Sequence, residues 1–152
     1  MAQGFTLIRH RRGAPALRLG LGPGLRPVDA VGQLAALFEG ESFWARGRSP
    51  AGIRRMLRGS DAVVSIWKEG DLVGFGRATS DGIYRAVLWD VVVASAHGGQ
   101  GLGRRLVETL LATPVVARAE RIYLMTTNGR GFYERLDFRT SPQQLMIREG
   151  SG

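Results

Sequence analysis

The segment Val91-Val-Val-Ala-Ser-Ala-His-Gly-Gly-Gln-Gly-Leu-Gly-Arg-Arg-Leu106 carries the residues best suited to chemistry. An apolar run ends, a glycine cluster follows, and a leucine repeat begins. Glycines at 98, 99, 101 and 103 let a ligand come close to the backbone. Where a strand passes into a helix, the N–H groups of the first helical turn lack intrahelical partners and the helix dipole presents its positive end. Arg104 and Arg105 add positive charge there. The ligand suited to such a spot is a phosphate or pyrophosphate. Dinucleotide binding requires G-x-G-x-x-G near the first strand of a βαβ unit, and a P-loop requires Gly-Lys-Ser/Thr. The G-x-G-x-G spacing of residues 99–103, followed by Arg104, fits neither. The remaining alternative is that the glycines serve only close helix–strand packing.

The elements that position this loop can be read from patterning. Leu17–Leu21 reads as an opening strand, and Asp29–Phe38 as an amphipathic helix with Ala30, Leu34, Leu37 and Phe38 on its apolar stripe. Ser49 as N-cap, Pro50 at the first helical position and Gly59 past the end mark a second helix. Ala62–Trp67, Leu72–Thr79 and Ile83–Val93 read as a three-strand meander. The last of these is apolar on both faces, as in a covered central strand. Leu102, Leu106 and Leu110 place a helix after Gly101; Arg121–Thr126 is a strand, Phe132–Leu136 a short helix, and Phe138 and Leu145–Ile147 short closing strands. The expected fold is α/β: a mixed, mostly antiparallel sheet of six to seven strands with about four helices on both faces. Residues 1–16 read as a loose basic N-terminus, 17–148 as a single domain and 149–152 as a flexible tail.

Composition bounds the functions. The chain has 152 residues, no cysteine and a formal charge of +8. One domain and one sizeable core are expected at this length. Without cysteine there is no disulfide framework, thiolate metal site or cysteine nucleophile, and no metal is expected. Residues 1–60 hold ten arginines against three carboxylates, so seven of the eight surplus charges lie there, and Lys68 is the sole lysine. No run approaches the roughly 20 apolar residues of a membrane span. The N-terminal order, apolar then basic, is the reverse of a signal peptide. A cytoplasmic protein with no membrane partner is expected, as a monomer or homodimer. A basic nucleic-acid-binding module is the rival class. It rests on charge alone, because stacking aromatics are not interleaved with the arginines, so nucleic acid is not the expected partner.

Two motifs together resemble one family. Gly98-Gly-Gln-Gly101-Leu-Gly103 is similar to the Gln/Arg-x-x-Gly-x-Gly/Ala signature of the GNAT acyltransferases, with Gly98 where Gln or Arg is usual. Phe132-Tyr133-Glu134-Arg135-Leu136-Asp137-Phe138 is similar to the family's Phe-Tyr-Glu-x-x-x-Phe stretch. The order of elements from about Leu17 to Ile147 also fits. More narrowly, Gly74–Val93 and Gly99–Glu108 resemble the cyanobacterial and plastid branch. That branch includes enzymes described as serotonin (arylalkylamine) N-acetyltransferases and others that acetylate protein lysines and N-termini.

The resemblance implies an acetyl-CoA-dependent N-acetyltransferase. Gly98, Gly99, Gln100, Gly101, Leu102, Gly103 and Arg104 would hold the pyrophosphate. Val91, Val92 and Val93 would run beside the pantetheine arm, with a strand N–H polarising the thioester carbonyl. Tyr133 would protonate the leaving thiolate, and Phe132 would line the site. Asn128 would bond the cofactor, or cap the next helix. Asp90, a carboxylate in an apolar strand, would accept the amine proton through water or pair with a buried arginine such as Arg77. A small-molecule amine is the expected second substrate. Phe43 and Trp44, beside Glu39 and Glu41, would receive it, with Tyr84 and Trp89 extending the wall. Transfer to a protein N-terminus or lysine is the alternative. Lacking cysteine, the chain would transfer directly within a ternary complex.

Overall fold

The computed structural model describes residues 4–151. In chain order it contains β1 (Phe5–Arg9), α1 (Pro15–Arg18), α2 (Ala30–Glu41), α3 (Pro50–Arg58), β2 (Ala62–Lys68), β3 (Asp71–Ser80) and β4 (Arg85–Val93). Then come α4 (Leu102–Ala112), α5 (Pro114–Ala117), β5 (Arg121–Tyr123) and α6 (Arg130–Glu134). The strands form one sheet in sequential order, antiparallel except for the parallel β4–β5 pair. The α4 crossover makes that parallel pair possible, since parallel neighbours cannot be joined by a tight turn.

Two apolar cores lie on opposite faces of the sheet. One packs α1, α2 and α3 around Phe38, Trp67 and Phe75. The other packs α4 and α5 over Val64, Ile66 and Leu88. β2 alternates between them, Val63 and Trp67 on the first face and Ala62, Val64 and Ile66 on the second. Caps fix the helix starts: the Asp29 carboxylate accepts from the Gly32 N–H and the Ser49 hydroxyl from the Gly52 N–H. On the α4 face, Gly76 of β3 is small for a reason. A Cβ there would lie 2.5 Å from Leu106 Cδ2 and 3.0 Å from Leu110 Cδ1, both fully buried.

The strand count differs from the six to seven expected. Among the described residues the sheet has five strands, with six helices rather than about four. Leu17–Leu21 is not a strand. Pro15 starts the short helix α1 and Gly20, at φ 82°, follows its end, so only Leu17 is buried while Leu19 faces solvent. The opening strand is instead β1, inside the stretch read as loose; its pairing with β2 outweighs the basic run that follows it. Met1–Gln3, also in that stretch, and Gly152 of the expected tail lie outside the described residues. β5 stops at Tyr123, and residues 138–151 form no strand. Pro142 lacks a ladder donor, and Leu145, Met146 and Ile147 remain exposed.

β4 contains the irregularity on which the site depends. Arg77 pairs with Trp89 and Phe75 with Val92, so Asp90 and Val91 together oppose the single residue Gly76. Asp90 takes a left-handed conformation, φ 54°. The extra residue of this bulge reverses which side chains face which core. Ala86 and Leu88 face α4 before it; Val91 and Val93 face α4 after it, and Val92 faces the α2–α3 side.

Two stability outcomes follow from this packing. Gly76→Ala should cost about 1–3 kcal/mol by overpacking, read as a lower midpoint in denaturant unfolding. His10 is pushed down from 6.5 to about 4 by burial; its Nε2 shares a hydrogen bond of 2.6 Å with the Ser65 hydroxyl, to which the Trp67 indole N–H also donates. Between those pH values the unfolded chain binds the proton and the folded one does not. Stability therefore falls as pH is lowered from 6.5 towards 4, by roughly 3 kcal/mol in total. His10→Gln should flatten that part of the melting temperature–pH curve; an unchanged slope would remove His10 as its cause.

Candidate functional site

β4 and β5 pair only over Arg85–Val87 and Arg121–Tyr123. Beyond these residues the strands part. The gap is a cleft of about 760 Å³, bounded by Leu88–Val93 on one side and Leu124–Gly129 on the other. The bulge creates one wall. Ala94 donates to Val73 across the β3–β4 ladder, so by alternation the backbone N–H and C=O of Val91 and Val93 point away from β3 and into the cleft. An extended ligand can add to this open edge as a strand would.

The glycine loop closes one end. It leaves β4 at Val93, turns through Ser95–His97, and enters α4 after Gly101. Gly99 and Gly101 have φ of 76° and 77°, the region in which a side chain is strained, and no atom lies within 4 Å of where their Cβ atoms would be. The N-terminus of α4 has no side-chain cap, so its first N–H groups are left to solvent or a ligand. Gly103 faces α6: a Cβ there would sit 3.5 Å from Phe132 Cζ. Leu102 points into the α4 core and offers only its backbone. Arg104 is exposed and reaches Glu108 at 3.6 Å. These features fit an extended ligand with a phosphate-bearing end.

Of the residues expected to hold cofactor, Val91, Val92, Val93, Gly103, Asn128, Phe132 and Tyr133 line the cleft; Gly98, Gly99, Gln100, Gly101, Leu102 and Arg104 form the loop at its rim. Asn128 does not cap α6, because the Thr126 hydroxyl accepts from the Gly129 N–H at 2.9 Å. Tyr133 packs edge-on between Phe132 and Phe138, with ring centroids 5.0 and 5.8 Å away. Burial raises its pKa above the usual 10, so its phenol keeps its proton at neutral pH.

Asp90 is paired rather than free to take a proton. Its carboxylate, 5% exposed, meets Arg77 Nε at 2.8 Å and Arg48 Nη1 at 3.1 Å, and accepts from Trp44 Nε1 at 3.3 Å. Burial alone would raise its pKa, but the hydrogen bonds and charges of the two arginines outweigh burial and hold it below the ordinary carboxylate range. Three donors and a lowered pKa make a poor general base. Of the two roles expected for Asp90, the structure shows the pairing with Arg77, joined by Arg48, at the bulge. Arg48 was not anticipated, since no sequence spacing links residues 42 positions apart.

The expected acceptor residues separate. Phe43, Trp44 and Trp89 line the cleft, Phe43 and Trp44 packing edge to face at 5.2 Å. Tyr84 is exposed just before β4 and is not among the lining residues. Glu39 accepts from the Gly47 N–H, and Glu41 accepts from both the N–H and the hydroxyl of Ser95. Neither carboxylate lines the cleft; Glu41 ties the end of α2 to the start of the glycine loop. His97 lies edge-on to Phe5. Leu145 and Ile147 also line the cleft, a placement the strand reading did not anticipate. Among the described residues, no group of three or more His, Cys, Asp or Glu could hold a metal, and no helix is long and apolar enough to cross a membrane.

The sequence model of the acetyltransferase (GNAT) family matches residues 32–138. Serotonin N-acetyltransferase 2, chloroplastic, of Oryza sativa subsp. japonica is 35% identical over 123 residues, covering 76% of this chain and 59% of the relative. Histone acetyltransferase TAP1 of Glycine max is 38% identical over 75 residues, 49% of this chain and 32% of the relative. This chain thus spans about a third of the length of that soybean relative. Among solved structures, an acetyltransferase of the same family from Xanthomonas campestris pv. campestris superposes with a TM-score of 0.71 at 24% identity, covering 95% of this chain and 94% of that one.

Asp90→Asn keeps the size and the left-handed tolerance of the side chain while removing its charge. Arg48 and Arg77 then lose their counter-charge, and unfolding stability should fall by about 2–4 kcal/mol. Because the carboxylate pKa is depressed, its contribution is present above about pH 4 and lost as pH falls through the lower folded value. An Asp90→Asn protein that melts like wild type but turns over nothing would instead assign the carboxylate a proton-transfer role.

Proposed function

The chain belongs to the acetyltransferase (GNAT) family, and we propose that it is an acetyl-CoA-dependent N-acetyltransferase acting on a primary amine by direct attack within a ternary complex. The observation that carries this is the cleft beside the Asp90 bulge, with open backbone edge, glycine loop and phenol all facing one ligand path. Acetyl-CoA supplies an activated thioester carbonyl and a thiolate leaving group. The N–H groups at the start of α4 and the glycine loop bind its phosphate end. Val91 and Val93 pair with its extended amide arm, and the Val91 N–H, beside the bulge, polarises the thioester oxygen. Tyr133 delivers its phenolic proton to the leaving sulfur, and the proton released by the attacking nitrogen returns to the phenolate through solvent, so the side chain is restored. The raised pKa keeps that proton available at neutral pH. No covalent enzyme intermediate through sulfur is open to a chain without cysteine.

Two acceptor classes compete. Phe43 and Trp44 present aromatic faces suited to an arylalkylamine such as serotonin, and a similar plastid protein carries that substrate in its name. Against a small cationic amine, Glu39 and Glu41 are bonded elsewhere, and among the described residues the only carboxylate lining the cleft is Asp90, whose charge is already paired with two arginines. Phe43 and Trp44 are also 62% and 51% exposed, which makes a rim open to solvent rather than an enclosed pocket. That openness favours an amine carried on a polypeptide, an N-terminus or a lysine.

Free thiol release from acetyl-CoA with a panel of amines and peptides tests the reading. Tyr133→Phe should lower turnover about 10²-fold or more with acetyl-CoA binding largely unchanged. Absence of both turnover and acetyl-CoA binding in the wild-type protein would overturn it.

A further inference from the structure

Residues 42–60 form the acceptor rim and the whole of α3, and hold five arginines and no carboxylate. Arg48 is used by Asp90. Arg46, Arg54, Arg55 and Arg58 are exposed, and among the described residues none of them forms an ion pair. Arg54 and Arg58 stand four apart on one helix, where like charges repel each other at a cost of a few tenths of a kcal/mol. Arg55 and Arg58 lie in the last turn of α3, where the helix dipole favours a cation, but Arg54 has no such role and Ile53 and Leu57 already anchor the helix in the core. Arg11 extends the surface, beside Arg12, which pairs with Asp61 at 3.0 Å. Their loop lies against the end of α3, with Gly13 donating to Ser60 and a Gly13 Cβ falling 3.5 Å from the Arg58 carbonyl.

The segment that carries this surface adjoins the cleft, because the rim residues Phe43 and Trp44 are followed in the chain by exposed Arg46 and then by α3. Arg48, which lines the cleft, reaches Met56 Sδ of α3 at 3.5 Å, so the middle of the helix lies beside the acceptor rim. Resting on the polypeptide-acceptor reading above, we propose that the arginine face of α3 selects acceptors in which the reacting amine is followed by carboxylates. The partner is an acidic peptide segment, identified by charge complementarity. The nine residues of α3 extend about 13 Å. An extended peptide covers that length in about four residues. About four consecutive residues beyond the amine would therefore run along Arg54, Arg55 and Arg58. The contacts are solvent-exposed, so the selectivity is sensitive to salt.

The test compares peptides sharing their first two residues, followed either by Asp and Glu or by Ser and Gln. At low ionic strength kcat/KM for the acidic peptide should exceed that for the neutral one by about tenfold, and the ratio should shrink at high salt. Arg54→Glu with Arg55→Glu should abolish or invert the ratio while neutral-peptide turnover persists. If that pair lowers neutral-peptide turnover as well, Arg54→Gln with Arg55→Gln should still reduce the ratio. Equal rates on the two peptides, or a ratio unchanged by the glutamine pair, would overturn the proposal while leaving acetyl transfer to polypeptides intact. Turnover of serotonin with no turnover of any peptide would overturn the polypeptide reading itself. Salt-sensitive retardation of duplex DNA without acidic-peptide preference would assign the face to nucleic acid and overturn the proposal.

Discussion

Asp90 sits in the middle of a strand with a backbone conformation that strands do not use. Its φ of 54° leaves Asp90 and Val91 opposite a single partner, and such a conformation in a non-glycine residue costs of order 1–3 kcal/mol. Arg77, Arg48 and the Trp44 indole meet its carboxylate and offset that cost. Everything in the cleft derives from this one irregularity. It reverses the inward and outward order of β4, turns the backbone of Val91 and Val93 towards open space, and leaves β5 without a partner beyond Tyr123. The same ion pairs bring Arg48 from the α2–α3 connection and Trp44 from the acceptor rim to β4. Acceptor wall and donor edge therefore share a single fixed point, and a disturbance at Asp90 reaches both.

A second tie fixes the glycine-loop end of the cleft. Glu41 lies at the C-terminus of α2, where the helix dipole disfavours a carboxylate. Its two hydrogen bonds to Ser95 compensate, and they anchor the segment between β4 and α4. The loop beyond Ser95 has few packing partners of its own, since Gly99 and Gly101 face open space. Leu102, buried at the start of α4, holds its far end. Anchored at both ends, the glycine loop leaves its backbone N–H groups exposed without being free to drift.

Local patterning made much of this legible. Ser49, Pro50 and Gly59 bracket α3, the leucine repeat gives α4, and the glycine spacing marks the loop. Sequence reading failed where tertiary pairing overrides local signals. β1 lies in a basic stretch and exists through its ladder to β2. Leu17–Leu21 has a strand-like composition but is turned into a helix by Pro15 and Gly20. Residues 138–151 contain apolar residues in strand-like spacing, yet Pro142 and the polar residues around it give a ladder nothing continuous to build on. In the site, Asp90 stood out as a carboxylate among valines, but its partner Arg48 is fixed by three-dimensional proximity alone. Glu39 and Glu41 were conspicuous beside Phe43 and Trp44, and only the fold reveals that their carboxylates bind backbone.

The two halves of the cleft are built from different materials. The donor half is mostly backbone: strand edge, glycine loop and helix terminus, with Tyr133 the main side-chain contribution. Backbone groups survive substitution so long as the glycines and the bulge survive, so this half is constrained by conformation. The acceptor half is mostly side chain, from Phe43 and Trp44 through the arginines of α3, and each lies on a turn or helix surface whose fold does not depend on it. On the proposed reading, substitutions in that segment change which amine is accepted without altering how the acetyl donor is held. The exceptions are Arg48 and Trp44, which belong to both halves through Asp90; a change at either would alter both walls of the cleft together.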